Sequence, residues 1–470
     1  MTSRFRLALA CTSLLLAGCG DLFSPSPPAY TESAKLAIDL KDKPKLQAAV
    51  RKALAELYGP SPREIIVPAG SGLPFGGRRL SNRWEEEVSK DVKKGFALKV
   101  TRLDPETWKT IVDPGSGKAE EVAGDGGYAL YRRHCLHCHG VTGDGAGPTA
   151  DFLYPRPRDY RKGIFKFTST TTEKPTRADL VKTIREGLHG TSMPSFEALM
   201  PPEEIEQVTD YVIFLSMRGE TELGLIELAS VADEAVADPL PKADISDVTS
   251  LVFRKWKSAA TQVLDPPAKR VAASAESVAR GRQAFLGRTD KKLECWGCHG
   301  PQGVGNGPSF IDERIFNKVV FNQKTVDQAI REVFDLDHAE AGHGAESTSA
   351  APVSAADFDH YLKTNLELWT KSVDDWGNPL RPANLNLGVY KGGRRPLDIY
   401  WRVAKGINGA KMPGHASSLP PEQIWDIVNF VLALPYDQEL LRGATPPSTP
   451  PPKLASVAQR SAREDRRARP

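Results

Sequence analysis

Two short runs carry the chemistry of this chain: Cys135-Leu136-His137-Cys138-His139 and Cys295-Trp296-Gly297-Cys298-His299. Two thiols three residues apart, with a histidine directly after the second, have the spacing at which a haem is attached covalently. The sulfurs add across its vinyl groups, and the histidine is placed against the iron. A single such run would fit a structural zinc or a redox dithiol as well. Here each run is followed by a Gly-rich loop and later by Met-Pro. That repetition points to two covalently bound haem c groups, one held by Cys135 and Cys138, the other by Cys295 and Cys298.

His139 and His299 are then the proximal iron ligands. The expected distal ligands are Met193 and Met412, each at the end of Gly-x-x-Gly-x-x-Met-Pro. A soft thioether favours ferrous iron, so Met/His ligation raises the reduction potential relative to His/His. Beyond residue 18 the only other methionines are Met200 and Met217, and the alternative role of a methionine is core packing. His189 is a rival to Met193, but its counterpart in the second repeat is Asn408; His415 is a rival to Met412. His338, His343 and His360 suit a solvated loop or a metal site. His134 directly precedes the first motif and His137 lies within it. Pro148 and Pro308 each lie nine residues after a proximal histidine, where their carbonyls are candidates to accept the imidazole Nδ1–H. Arg156, Arg158 and Arg381 are candidates to pair with haem propionates or are ordinary exposed arginines. Tyr160, Phe165 and Tyr390 are candidate pocket aromatics.

These residues need elements to hold them. Gly127 to Tyr131 and Gly281 to Phe285 begin helices that run into the motifs, and Gly140 to Pro148 and Gly300 to Pro308 are too Gly-rich for regular structure. Asp179 is the expected N-cap of a helix through Arg185, with Asp398 its counterpart. Pro201-Pro202-Glu203 and Pro420-Pro421-Glu422 open the last helix of each repeat; in the first, Ile205, Val208, Val212 and Leu215 face inward. The second repeat is about 59 residues longer between its motif and its methionine. The excess falls mostly within 309–378 and includes a small-residue run, 339–352, expected to be a loose surface loop. Lys45 to Tyr58 reads as an amphipathic helix ended by Gly59-Pro60, with Leu46, Val50, Leu54 and Leu57 on one face. Pro60 to Gly77 reads as irregular.

At 470 residues the chain has room for two or three domains, and its formal net charge of +3 gives no reason to expect a nucleic-acid partner. The organisation read from the sequence is a leader at 1–18, a tether and N-terminal extension at 19–113, a first haem domain at 114–230 and a linker at 231–270. A second haem domain follows at 271–440, then a basic Pro-rich tail at 441–470 expected to be disordered. Arg4 and Arg6 precede a short apolar run that ends in Leu16-Ala17-Gly18-Cys19, which looks like a bacterial lipobox with Cys19 as the lipidated residue. The expectation is an exported chain, lipid-anchored and facing the periplasm. No later stretch is long and apolar enough to cross a membrane as a helix.

CLHCH with GTSMP, and CWGCH with GAKMP, in this order of helix, motif, loop, methionine and helix, resemble class I c-type cytochromes fused in tandem. PRPRDYRKGIFKFTST and RPANLNLGVYKGGRRPLDIYWR look like stretches of membrane-associated respiratory cytochrome lipoproteins, some of which accompany quinol-oxidising complexes or terminal oxidases. The resemblance implies a mainly α fold around each haem and Met193 and Met412 as sixth ligands. It also implies redox protein partners: a dehydrogenase or quinol-oxidising complex on one side, a terminal oxidase or soluble cytochrome on the other. With both irons six-coordinate, the expected function is one-electron relay rather than catalysis. The alternative is a di-haem peroxidase-type enzyme with one open haem.

Overall fold

The computed structural model describes residues 29–62, 64–74, 76–81, 122–123, 127–235, 240–265, 269–290, 293–342 and 355–442. The leader, Cys19, the tail beyond 442 and His343 lie outside them.

The architecture is mainly helical. Two helices open it, α1 (Ala34–Asp39) and α2 (Pro44–Tyr58). Helix α2 buries Leu46, Val50, Ala53 and Leu54 along one stripe, and Gly59 ends it with an N–H donated to Ala55 O. The next stretch differs from the irregular chain expected of it. Strand β1 (Glu64–Val67) pairs antiparallel with β2 (Arg78–Ser81), which pairs in parallel with β3 (Val122–Ala123). The reason is local: Glu64-Ile-Ile-Val67 alternates in burial, with Ile65 and Val67 buried, and β-branched residues suit an extended pleat.

Helix α3 (Gly127–His134) leads into α4 (Leu136–His139), and α5 (Arg177–Glu186) precedes the Met193 loop. The N-cap of α5 is Thr176 rather than Asp179. The Thr176 hydroxyl accepts from the Asp179 N–H, and the Asp179 carboxylate accepts from the Thr176 N–H. Asp179 therefore closes a capping box three residues inside the position expected of it. Helix α6 (Pro202–Val231) buries Ile205, Val208, Val212 and Leu215 as expected, then runs on far enough for the N-terminal extension to pack on it. Tyr58 Oη lies 2.7 Å from Thr221 Oγ1 and donates to Met217 O, while the Ser33 N–H donates to Glu222. Helix α7 (Lys242–Ala259) joins the same core through Val252, Phe253 and Trp256, its indole N–H donated to Glu220 at 2.7 Å.

A second set follows: α8 (Ala275–Phe285), α9 (Cys295–His299), then α10 (Glu313–Val320), α11 (Val326–Gly342) and α12 (Ala355–Lys371), and finally α13 (Pro396–Lys405) and α14 (Pro421–Ala433). Helices α8 and α14 cross around Gly281 and share a core with α13. Helices α10 to α12 fill the extra length of the second repeat and pack Ile315, Phe316, Ala329, Ile330 and Val333 into a core of their own. The small-residue run begins in helix rather than in loop, since α11 continues through Gly342; residues 343–354 lie outside the described set.

Candidate functional site

Each Cys-x-x-Cys-His run occupies one short helical turn laid against a longer helix. His139 N–H donates to Cys135 O at 2.8 Å, and Cys135 N–H donates to Tyr131 O at 2.8 Å. The Gly-rich loops tie back to these turns identically. Gly145 N–H donates to His139 O at 3.0 Å and Gly305 N–H to His299 O at 2.8 Å; Gly147 and Gly307 donate to Cys138 O and Cys298 O at 3.1 and 3.0 Å. A Cβ at Gly147 would lie 2.4 Å from His137 O, and one at Gly307 2.2 Å from Gly297 O. Only glycine lets the loop approach the motif this closely.

The two motif histidines are oriented by backbone carbonyls. His139 Nδ1 lies 3.1 Å from Arg158 O, and His299 Nδ1 lies 3.0 Å from Ala383 O. A carbonyl only accepts, so Nδ1 carries the hydrogen and each Nε2 keeps a free lone pair. These acceptors replace the ones expected, Pro148 and Pro308, and neither proline lines the cavity described below. The loops that hold those prolines use their backbone to fasten the motif. The later segments Arg156-Pro157-Arg158 and Arg381-Pro382-Ala383 come alongside the imidazoles instead. Burial lowers the His139 pKa to about 4 and lowers that of His299, in both cases favouring the neutral ring; it pushes the Cys135 and Cys295 thiols up to about 12.

The methionine loops match as well. Leu188 N–H donates to Met193 O and Ile407 N–H to Met412 O, each at 3.1 Å, closing a tight loop after α5 and after α13. One continuous cavity of about 1510 Å³ is lined by both Cys pairs, His139, His299, Met193 and Met412. Tyr160 and Tyr390 also line it. The Tyr160 ring lies 5.2 Å from the His139 ring, and its hydroxyl donates to Tyr131, which donates to Gly140 O, both at 2.7 Å. Tyr390 Oη donates to Leu385 O and Val431 O. Of the rivals, His415 lines the cavity, while His189 and His360 are exposed. Among the described residues no cluster of His, Cys, Asp or Glu is arranged to hold a bare metal ion.

The three arginines have separate fates. Arg156 pairs with Asp151, and Arg381 pairs with Glu313 at 2.7 Å. The guanidinium of Arg158 stacks on Trp376, 3.5 Å from the ring centre, and its Nη1 is buried without a hydrogen-bond acceptor. Sequence reasoning missed the companions of Arg158 on the cavity wall: Lys166, Lys391 and Arg402. Burial lowers the pKa of all four, Arg158 and Arg402 to about 10. The signal was present, because GIFK at 163–166 and GVYK at 388–391 repeat the lysine as well as the aromatic residue. Thiols at attachment spacing, imidazoles with Nε2 free, a large apolar cavity and half-buried cations, one with an orphaned donor, together fit a group that is apolar in its body and carboxylate at its edge. Haem is such a group.

Residues 122–212 match the family model described as cytochrome C oxidase, cbb3-type, subunit III. Comparison with curated proteins finds no match. Among solved structures, a chain titled Kuenenia stuttgartiensis reducing HAO-like protein complex Kustc0457/Kustc0458 is similar. It is 21% identical, with 66% of this chain and 94% of that chain covered and a TM-score of 0.40, a likeness too low to carry an argument. The family match spans Cys135 to Met193 and supports a c-type cytochrome, with covalently bound haem c and electron transport as its chemistry.

Proposed function

We propose that the chain is a di-haem carrier made of two class I cytochrome c domains, about 114–230 and 271–440, which passes single electrons from a membrane dehydrogenase or quinol-oxidising complex to a downstream acceptor. The observation that carries this reading is the sharing of one cavity by both Cys-x-x-Cys-His turns and both methionine loops. Its volume exceeds the roughly 300–1,000 Å³ of a pocket for one small ligand. Two groups seated in one cavity need no third protein to exchange an electron.

When bound, haem c supplies a one-electron iron couple. The chain's own residues do the rest. His139 and His299 present Nε2, held in one tautomer by Arg158 O and Ala383 O. Met193 and Met412, on the same cavity wall, would supply the thioether ligands, which would leave no coordination position for substrate. The wall is largely apolar, and Arg158 and Lys391 would offset carboxylates that would otherwise be costly to bury, Lys166 being paired with Asp374 and Arg402 with backbone carbonyls. Export and lipidation of Cys19 would hold the carrier beside its partners. Among the described residues no helix is long and apolar enough to cross a membrane.

The test is the count and spin state of the haems in membranes expressing the full chain. Two haems per chain, both low-spin with a sulfur-to-iron charge-transfer band, support the carrier. One haem per chain refutes the tandem arrangement. A high-spin fraction that binds cyanide at once makes the chain a di-haem peroxidase-type enzyme instead.

A further inference from the structure

The turn at the end of the extra segment in the second repeat, Asp374 to Asn378, touches both sites. Its frame is rigid: the buried Asp374 carboxylate accepts from the N–H groups of Trp376 (3.0 Å) and Asn378 (2.9 Å), and Asp374 N–H donates to Asn378 O at 2.9 Å. On one side the Trp376 ring carries the Arg158 guanidinium, and Trp376 Nε1–H donates to Asp159 O at 2.8 Å. Lys166 and Arg158 reach the outer oxygen of Asp374 at 2.9 and 3.8 Å. Arg158 is the residue whose carbonyl fixes the His139 ring. On the other side lies the loop that carries Met412. Asp375 N–H donates to Gly409 O at 3.0 Å, and a Cβ at Gly409 would fall 2.0 Å from the Trp376 ring. Indole and backbone are therefore in direct contact there.

We propose that Trp376 is a positioning residue shared by both haem sites: through Arg158 it sets the proximal side of the first, and through Gly409 it seats the methionine loop of the second. This rests on the di-haem reading above. It makes the segment missing from the first repeat a functional part of the molecule, because its far end is the wedge that holds the two sites in register. The contacts differ in kind, which makes them separable. The first site depends on an N–H donor and a ring face, the second on ring bulk alone.

The experiment is a redox titration of the full haem-loaded chain, read by optical and electron paramagnetic resonance spectra, with haem content measured alongside. The signal that moves in Met193→His identifies the first site. Trp376→Ala should change the reduction equilibrium of both haems by threefold or more, where tenfold corresponds to about 59 mV for one electron. Trp376→Phe loses both the donor and the benzo atoms that meet Gly409 while leaving an aromatic ring at the position, so both haems should move in the same direction as in Trp376→Ala and by less. Arg158→Gln should move the first haem alone, downward, since a buried positive charge favours arrival of the electron. If Trp376→Ala fails to load haem, Trp376→Phe still decides. Either haem unmoved in Trp376→Phe or in Trp376→Ala, or both haems moved equally in Arg158→Gln, overturns the proposal. A parent chain without two low-spin haems sinks the di-haem reading instead, and the haem count tells the two failures apart.

Discussion

Replacing Gly281 by alanine isolates the helix crossing that supports the second motif. An ideal Cβ on Gly281 falls 2.1 Å from Asp426 O and 2.7 Å from Phe430 Cβ. Both obstacles are fixed to helix α14, so neither can rotate away, and α8 and α14 must separate to relieve the clash. Overpacking of this kind costs about 1–3 kcal/mol and occasionally more. The gain in helix propensity from glycine to alanine is about 1 kcal/mol. Ordinary contact requires the helices to move apart along their most closely packed stretch, which places the cost at the upper end and leaves a net loss of about 2 kcal/mol. At roughly 2–4 °C per kcal/mol for a unit of 150–250 residues, Tm should fall by roughly 4–8 °C. Gly127, at the matching crossing of α3 and α6, is the control. Its Cβ would lie 3.0 Å from Gln207 O and 3.4 Å from Tyr211 Cβ, tight but relievable by a few tenths of an ångström. Gly127→Ala should therefore cost less than about 1 kcal/mol. The assay is thermal unfolding followed by circular dichroism, on preparations matched for haem content. Gly281→Ala as stable as the parent, or Gly127→Ala the more damaged of the two, would refute the claim that the α8–α14 crossing is closed by absence of a side chain.

Cys295→Ala combined with Cys298→Ala should halve the covalent haem per chain, read as the pyridine haemochrome; an unchanged content rules out attachment at the second motif. Met412→Leu should abolish the sulfur-to-iron band of one haem, lower its potential and admit cyanide, whereas spectra like the parent's would remove Met412 from the coordination sphere. Tyr131→Phe strands Gly140 O and the Tyr160 hydroxyl in the core and should cost about 1–3 kcal/mol in denaturant unfolding. At Asp398, burial favours the neutral acid, but hydrogen bonds from Arg395 and Lys182 outweigh it and hold the carboxyl below the ordinary range. A carboxylate depressed in the folded state contributes stability that is complete above its unfolded value near ~3.9 and is lost as pH falls through the lower, folded value. Asp398→Asn should thus weaken the fold at neutral pH and make its acid unfolding shallower below about pH 4; an acid limb as steep as the parent's would count against that role.

What the amino-acid order determined by itself is local. Cys-x-x-Cys-His needs only one helical turn to bring its three side chains to one side, so its meaning is carried by spacing alone. The same holds for the amphipathic stripe of α2, the Gly59 stop and the proline-opened helices α6 and α14, where each signal and its consequence lie within a few residues. Near misses were also local: Asp179 works one turn inside the cap position because Thr176 was available to start the helix. The short strand at Glu64–Val67 was obscured by the prolines and glycines around it.

Tertiary structure decided everything that depends on which distant segments meet. The Nδ1 acceptors Arg158 and Ala383 lie 19 and 84 residues from their histidines, and no periodicity links positions so far apart. The contact of Trp376 with Asp159 spans 217 residues, and its origin in the extra length of the second repeat gave no hint of it. The merging of both motifs into one cavity belongs to the same class. Backbone spacing constrains a turn, but only the packing of whole helices, driven by the apolar area they bury, selects which loops face each other across it.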